Sequence, residues 1–291
     1  MVVHARLREV RDYRIDALTP TFCARISGID LSRPLDATLA DSLVQDLLAY
    51  RVLVVGVQRL SHADHVRLSR VFGEPENHVQ DQYIVPGFPH ILMISNIHKD
   101  GVPIGLYDGD DEEEWHTDLS WKPQMSTVSL LYSVIVPAAG GATRFADTMS
   151  AYNDLPDEVK DRLAELRVVH SMTHLFERQL ADNPSKVPLT AEQCAQVPDV
   201  EHPLVRRHPV TGQRSLLLGD TIIRGVVGLS AVESQCLLDE LHTHATSQRY
   251  VYSHQWEEGD LVIWDNRATM HTASPCDHTR HQRLLYRTTV M

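Results

Sequence analysis

The chain has 291 residues, of which 43% are hydrophobic and 23% charged, and its formal net charge is -12. That length holds one large β domain with helical decoration or two small domains, and the apolar content is enough for a sizeable core. The acidic balance argues against a nucleic-acid surface, which needs clustered Lys and Arg to neutralise phosphates; an anionic small molecule would have to find its positive charge locally, inside a pocket.

The N-terminus, Met1–Glu9, carries no apolar signal core, and no run reaches transmembrane length, so no membrane association is expected. Asp36–Arg51 places Leu39, Leu43, Val44 and Leu47 at helical spacing and runs into Val52–Val57, an apolar run of the length of a buried strand. Ser61 with Asp64 is a capping box opening a second helix that ends near Gly73. Ile91–Ser95 reads as a strand, and His98–Glu114 as a loop rich in Gly, Pro and acid. Ser129–Val136 is a strongly apolar strand, closed by Pro137 and the turn residues Gly140 and Gly141. Pro156 opens a helix; Ala181–Pro203 is polar and proline-containing, an insertion without a core of its own. Ser230 with Glu233 caps a further helix carrying Cys236, Leu237, Leu238 and Leu241, and strands return at Leu261–Trp264 and Leu284–Val290. No solenoid repeat or low-complexity tract interrupts this order. The pattern predicts a single domain over 1–291, mainly β with flanking helices, a β-sandwich or jelly roll, with lid segments near 98–114 and 175–205.

Cys23, Cys194, Cys236 and Cys276 form no C-x-x-C pair and no zinc-knuckle spacing. They read as reduced, mostly buried thiols of a cytoplasmic protein. Assembly into a homo-oligomer stays open. With 17 histidines in the chain, spacing has to single out any that bind metal.

Two short segments do so: Trp115-His116-Thr117-Asp118, and Trp264-Asp265-Asn266-Arg267 leading to His271. His116, Asp118 and His271 together offer two imidazoles and a carboxylate, the set that holds non-haem Fe(II) on one face and leaves the other open for O2 chemistry. On an extended strand His116 and Asp118 would project to the same side, roughly 7 Å apart. A zinc hydrolase could use the same three side chains, and a non-catalytic metal-binding β-sandwich could carry them structurally, although a closed structural site would want a fourth protein ligand. Arg283 and Arg287, four apart on the last strand, share one face about 13 Å from each other, with Leu284 and Tyr286 opposite. Two inward arginines call for two anions.

The segments Trp115–Leu119, Gly140–Thr143, His208–Gly212, Trp264–His271 and Arg283–Val290 resemble, in order and spacing, the family of taurine dioxygenase and 2,4-dichlorophenoxyacetate dioxygenase, Fe(II)- and 2-oxoglutarate-dependent oxygenases. The resemblance implies a double-stranded β-helix (jelly roll, cupin-like), Fe(II) held by His116, Asp118 and His271 as the catalytic centre, and 2-oxoglutarate as cosubstrate with O2. It implies that Arg283, with a hydrogen bond from Thr143, binds the distal carboxylate of 2-oxoglutarate, with Arg280 as competitor for Arg283. It also implies a small anionic substrate held by Arg287, His78 and the backbone amide of Leu119. Expected chemistry is oxidation, by hydroxylation, of a C–H bond of a small, largely apolar organic acid, with release of succinate and CO2. The alternative is multi-step oxidation (desaturation, epoxidation or ring oxidation) of a carboxylated natural-product intermediate such as a terpenoid acid.

The remaining features carry blander expectations. Asp108–Glu114 lacks EF-hand spacing and reads as a solvated lid. His170 and His174 sit four apart but lack the Glu of H-E-x-x-H. His242 and His244 read as surface residues at a helix end, and Trp115 and Trp264 as packing around the metal site. Arg287 could alternatively pair with an acid of Asp108–Glu114.

Overall fold

The computed structural model describes residues 12–78, 81–106, 114–182 and 189–291. Two short strands, β1 (Arg14–Ala17) and β2 (Ala24–Ser27), precede helix α1 (Ala37–Tyr50) and β3 (Val52–Val55). Helix α2 (His62–Ser69) leads to β4 (Ile84–Val85), β5 (Phe88–Ser95) and a small hairpin of β6 (His98–Lys99) and β7 (Val102–Pro103). The central part runs β8 (Val128–Ile135), β9 (Thr143–Asp147), α3 (Thr148–Asn153), α4 (Asp157–Leu163), β10 (Arg167–His170), α5 (Met172–Asp182), α6 (Ala191–Gln196) and β11 (Val200–Pro203). It continues through β12 (Val205–Arg207), β13 (Arg214–Leu216), β14 (Ile223–Val226) and α7 (Ala231–Ala245), and the chain ends in β15 (Val251–His254), β16 (Leu261–Asp265), β17 (Thr269–Ala273) and β18 (Leu284–Val290).

The helix boundaries follow local chemistry. Asp36 accepts from the Leu39 amide at the start of α1, and Arg51 ends that helix in a left-handed conformation (φ 63°). Both sequence-predicted capping boxes close, at Ser61/Asp64 on α2 and Ser230/Glu233 on α7.

An eight-stranded sheet, ordered β1-β2-β3-β16-β8-β18-β5-β4, faces a three-stranded one ordered β15-β9-β17. All pairs in them are antiparallel except β2 with β3. Central strands bury both faces, which is why they read as unbroken apolar runs. Leu53, Val55, Leu130, Leu261 and Ile263 pack outward against Leu43 and Leu47 of α1 and Leu68 of α2. Their neighbours Val52, Val54, Leu131, Val262, Trp264 and Leu285 pack inward with Phe145 of the smaller sheet. Each such aliphatic side chain contributes roughly 1.5–3 kcal/mol of burial. A third core gathers Leu155, Leu163, Val168, Val226 and Leu241 with Trp115.

The expected mainly-β architecture with flanking helices is present, with four local differences. The strand expected at Ile91–Ser95 begins at Phe88, and the expected loop after His98 contains the β6–β7 hairpin. The polar stretch at 181–203 is not all loop. Helix α6 has no buried residue, as a coreless segment should, but β11 pairs along its length with β10, and Leu204 is fully buried. His170 ends β10 while His174 lies on α5, so the two do not share a helix face. Asp108–Glu113 of the acidic run lies outside the described residues.

Candidate active site

His116 and His271 meet across a single β-bridge. The His116 amide donates to the His271 carbonyl at 2.9 Å, and the His271 amide returns the bond at 2.8 Å. Beyond this bridge the chain leaves the extended conformation. Asp118 and Leu119 lie in a turn, and Leu119 adopts φ 55°, the left-handed region. Asp118 therefore reaches the two imidazoles by a turn rather than by strand alternation; the expected strand geometry is replaced by one bridge and a bend. One ligand atom from each of His116, Asp118 and His271 lies within 4.8 Å of the others.

This donor set fits a divalent iron. Nδ1 of His116 sits 3.0 Å from the Glu114 carbonyl, which only accepts, so Nδ1 carries the proton and Nε2 keeps a lone pair for a metal. Burial, with the neighbouring His116, pushes His271 down to about 3, leaving it neutral and able to ligate. Burial alone would raise the Asp118 carboxyl. The Arg287 guanidinium, the two imidazoles and the Ser129 hydroxyl outweigh it and hold the group well below the usual carboxylate range.

Arg287 points inward from β18, as expected, and its Nη1 donates to Asp118 Oδ1 at 2.8 Å. The reasoning that Arg287 must draw a counter-ion from a substrate is thus revised, because the carboxylate of Asp118 already faces it. His78 belongs to the same corner. Burial first, and then Arg287, lower its imidazole to about 4, so it is a neutral hydrogen-bonding group there rather than a cation. Lys122, paired with Glu76, adds a charge that the sequence did not single out.

Arg283 is 2% exposed, anchored through its amide to the Asn96 side chain and through its carbonyl to Ser95. Arg280 is exposed, which removes it as a competitor for a buried carboxylate. Thr143 opens β9 and is buried; Trp256 donates its indole N–H to the Thr143 hydroxyl at 3.0 Å. The turn before it needs its glycines. Gly140 and Gly141 have φ of 75° and 67°, and a Cβ on Gly140 would come within 2.7 Å of the Pro275 carbonyl.

The two tryptophans are buried as expected, Trp264 with its ring centroid 4.8 Å from that of His271. Asp265 of the same motif holds Arg267 through two side-chain contacts at 2.6 and 2.8 Å and His208 at 3.0 Å, which ties the His208–Gly212 segment to the turn before β17. His242 and His244 are not free surface groups: the first lies 2.7 Å from Asp220 and the second 2.8 Å from the Ala151 carbonyl. Of the thiols, Cys23 and Cys276 are buried, Cys194 is half-buried and Cys236 is exposed; all four are free.

The sequence profile described as "Taurine catabolism dioxygenase TauD, TfdA family" matches residues 14–289. The chain belongs to this family. It is 32% identical to pentalenolactone F synthase of Streptomyces arenae, over 87% of each chain. It is also 32% identical to the alpha-ketoglutarate-dependent 2,4-dichlorophenoxyacetate dioxygenase of Cupriavidus pinatubonensis, over 94% of this chain and 96% of that one. The crystal structure of AAD-2 in complex with Mn(II) and N-oxalylglycine superposes with a TM-score of 0.80 at 30% identity, covering 96% of both chains. The jelly-roll fold follows from these likenesses, and so does the enzyme class: this TauD/TfdA-family protein is an Fe(II)/2-oxoglutarate-dependent dioxygenase, an oxidoreductase. Membership decides among the three readings left open by the ligand set, in favour of the oxygenase over the zinc hydrolase and the non-catalytic binding protein. Among the described residues no helix is long and apolar enough to cross a membrane.

Proposed function

We propose that this dioxygenase hydroxylates a C–H bond of a small, largely apolar organic acid and releases succinate and CO2. In this reading His116, Asp118 and His271 hold Fe(II), which together with 2-oxoglutarate and O2 supplies the oxidising power. Arg283 pairs with the distal carboxylate of 2-oxoglutarate, a task suited to a planar, permanently charged fork. The Thr143 hydroxyl accepts from Trp256 and so has its own proton free to donate to that carboxylate. Arg287, the neutral imidazole of His78 and the Leu119 amide receive the acidic group of the substrate. The chain acts as one oxygenase domain over 1–291, and its four free thiols support a cytoplasmic setting.

The observation that carries the substrate class is the part-buried Arg287–Asp118 pair. Fe(II), doubly charged 2-oxoglutarate, Asp118, Arg283 and Arg287 taken together leave one net positive charge, although Asp118 already faces Arg287, and a monoanionic substrate would neutralise it. Similarity to an enzyme named for 2,4-dichlorophenoxyacetate, a carboxylate, supports the same class. A second reading, multi-step oxidation of a carboxylated natural-product intermediate, is supported by the likeness to pentalenolactone F synthase.

The test is a panel of aryloxyalkanoic and terpenoid acids with their methyl esters, assayed with Fe(II) and 2-oxoglutarate for succinate formed and substrate consumed. Acids should raise succinate formation and esters should not. Equal stimulation by acid and ester would overturn the anionic-substrate reading.

A further inference from the structure

The carboxylate of Asp118 is approached from two sides. Arg287 holds Oδ1, while Oδ2 accepts from the Ser129 hydroxyl at 2.6 Å. Behind Ser129 the contacts continue in a line. Nδ2 of Asn266 lies 2.9 Å from the Ser129 hydroxyl oxygen, and Oδ1 of Asn266 lies 2.9 Å from Nε1 of Trp264. Trp264 and Ser129 are fully buried and Asn266 is 1% exposed, so water cannot substitute for any member.

The direction of every bond in this line is fixed by its far end. An indole N–H can only donate. Trp264 therefore forces the amide of Asn266 to present its oxygen toward the ring and its NH2 toward Ser129. An amide NH2 can only donate, so the Ser129 oxygen must accept there and spend its single proton on Asp118. An ionised carboxylate can only accept, and the chain ends consistently. A serine alone could turn its proton to another acceptor; with Asn266 behind it, that freedom is removed.

We propose that Trp264, Asn266 and Ser129 form a one-way hydrogen-bond chain that positions the metal-binding carboxylate of Asp118. The chain holds Oδ2 and sets the rotation of the carboxylate, whose Oδ1 faces Arg287. It also gives a use to the Trp-Asp-Asn-Arg segment beyond its turn. Trp264 and Asn266 serve Asp118, while Asp265 and Arg267 form a separate buried ion pair with no contact to the chain through their side chains. The proposal rests on the reading of Asp118 as a metal ligand.

The competing explanation is that Asn266 merely forms the turn between β16 and β17. Asp is as good a turn residue as Asn. Asn266→Asp therefore preserves the turn, but its carboxylate would accept from Ser129 and draw the proton away from Asp118. The measurement is anaerobic titration of the metal-free protein with Fe(II), and with Co(II) followed by its visible absorption, in the wild type, Ser129→Ala, Asn266→Asp and the double variant. Loss of an outer partner of a metal ligand weakens metal binding about 10- to 100-fold. Each single variant should fall in that range, and the double variant should bind no more weakly than the weaker single one, because both changes break one chain. Wild-type metal affinity in Ser129→Ala, or multiplying losses in the double variant, would overturn the proposal. Asp118→Ala separates the two levels. If it abolishes metal binding while Ser129→Ala leaves binding intact, the chain fails and the ligand assignment survives; if Asp118→Ala itself binds metal normally, the ligand reading fails.

Discussion

Asp265→Ala tests whether the ion pair in the turn before His271 stabilises the fold. Asp265 is fully buried and receives Arg267 Nε at 2.8 Å, Arg267 Nη2 at 2.6 Å and His208 Nε2 at 3.0 Å, besides the Arg267 amide at 2.9 Å. Its own amide donates to the Arg51 carbonyl, so the residue joins the end of α1, the His208 segment and the turn before β17. Removing the carboxylate strands a largely buried guanidinium, and breaking such a pair from one side costs about 3–5 kcal/mol. With an unfolding entropy near 2.1 cal/mol/K per residue, a 291-residue chain changes by roughly 0.6 kcal/mol per degree, so Tm should fall about 5–8 °C. Thermal melts followed by circular dichroism at pH 7 measure it. Burial would raise this carboxyl, but Arg267 and His208 win and keep it below its ordinary value. The contribution is thus present above the unfolded carboxylate range and lost as pH falls through the lowered folded value, so wild type and variant should converge in strongly acidic buffer. A drop below about 1 °C at pH 7 would refute the claim that the pair is coupled to global unfolding.

Turnover should require Fe(II), with Zn(II) occupying the same site without supporting oxidation, since closed-shell zinc cannot activate dioxygen; full activity with zinc would contradict the requirement for a redox-active metal. Arg283→Ala should raise the 2-oxoglutarate dissociation constant by an amount on the order of 2–5 kcal/mol, whereas Arg280→Ala, at an exposed position, should leave it unchanged; isothermal titration against the metal-loaded protein distinguishes them. Arg287→Ala should erase most of the preference for a substrate acid over its methyl ester, read as the ratio of kcat/KM values, and an unchanged ratio would make Arg287 purely structural. Trp256→Phe, which removes the donor to Thr143, should weaken 2-oxoglutarate binding less than Arg283→Ala, because the remaining hydroxyl can still turn toward the carboxylate.

The three metal-binding candidates were legible because each sits in a short segment with distinctive neighbours, and because two imidazoles and a carboxylate are rare company. Ser129 was not legible. In Ser129–Val136 it is an ordinary polar residue opening an apolar strand, and only the pairing of β8 with β16, which sets Ser129 opposite Trp264, brings it near Asn266. Arg287 was placed on the inner face by strand alternation, but its contact with Asp118 depends on the turn at Leu119, which no periodicity encodes. The helices capped by Ser61 and Ser230 were readable because capping is a local bargain between residues three apart. β11 escaped because Val200–Pro203 is four residues long, polar in part and ends in proline; its partner β10 lies more than thirty residues earlier.

The reciprocal backbone bonds between His116 and His271 bear on how the chain folds. The two positions are 155 apart in sequence, and the length-dependent part of closing such a loop costs about 4 kcal/mol, far more than two backbone hydrogen bonds return alone. The bridge is therefore held by the longer ladders beside it, β9 with β17 and β8 with β16. A metal held by His116, Asp118 and His271, as proposed, would be a removable clasp between the middle of the chain and its end, and would add stability in proportion to the logarithm of its free concentration.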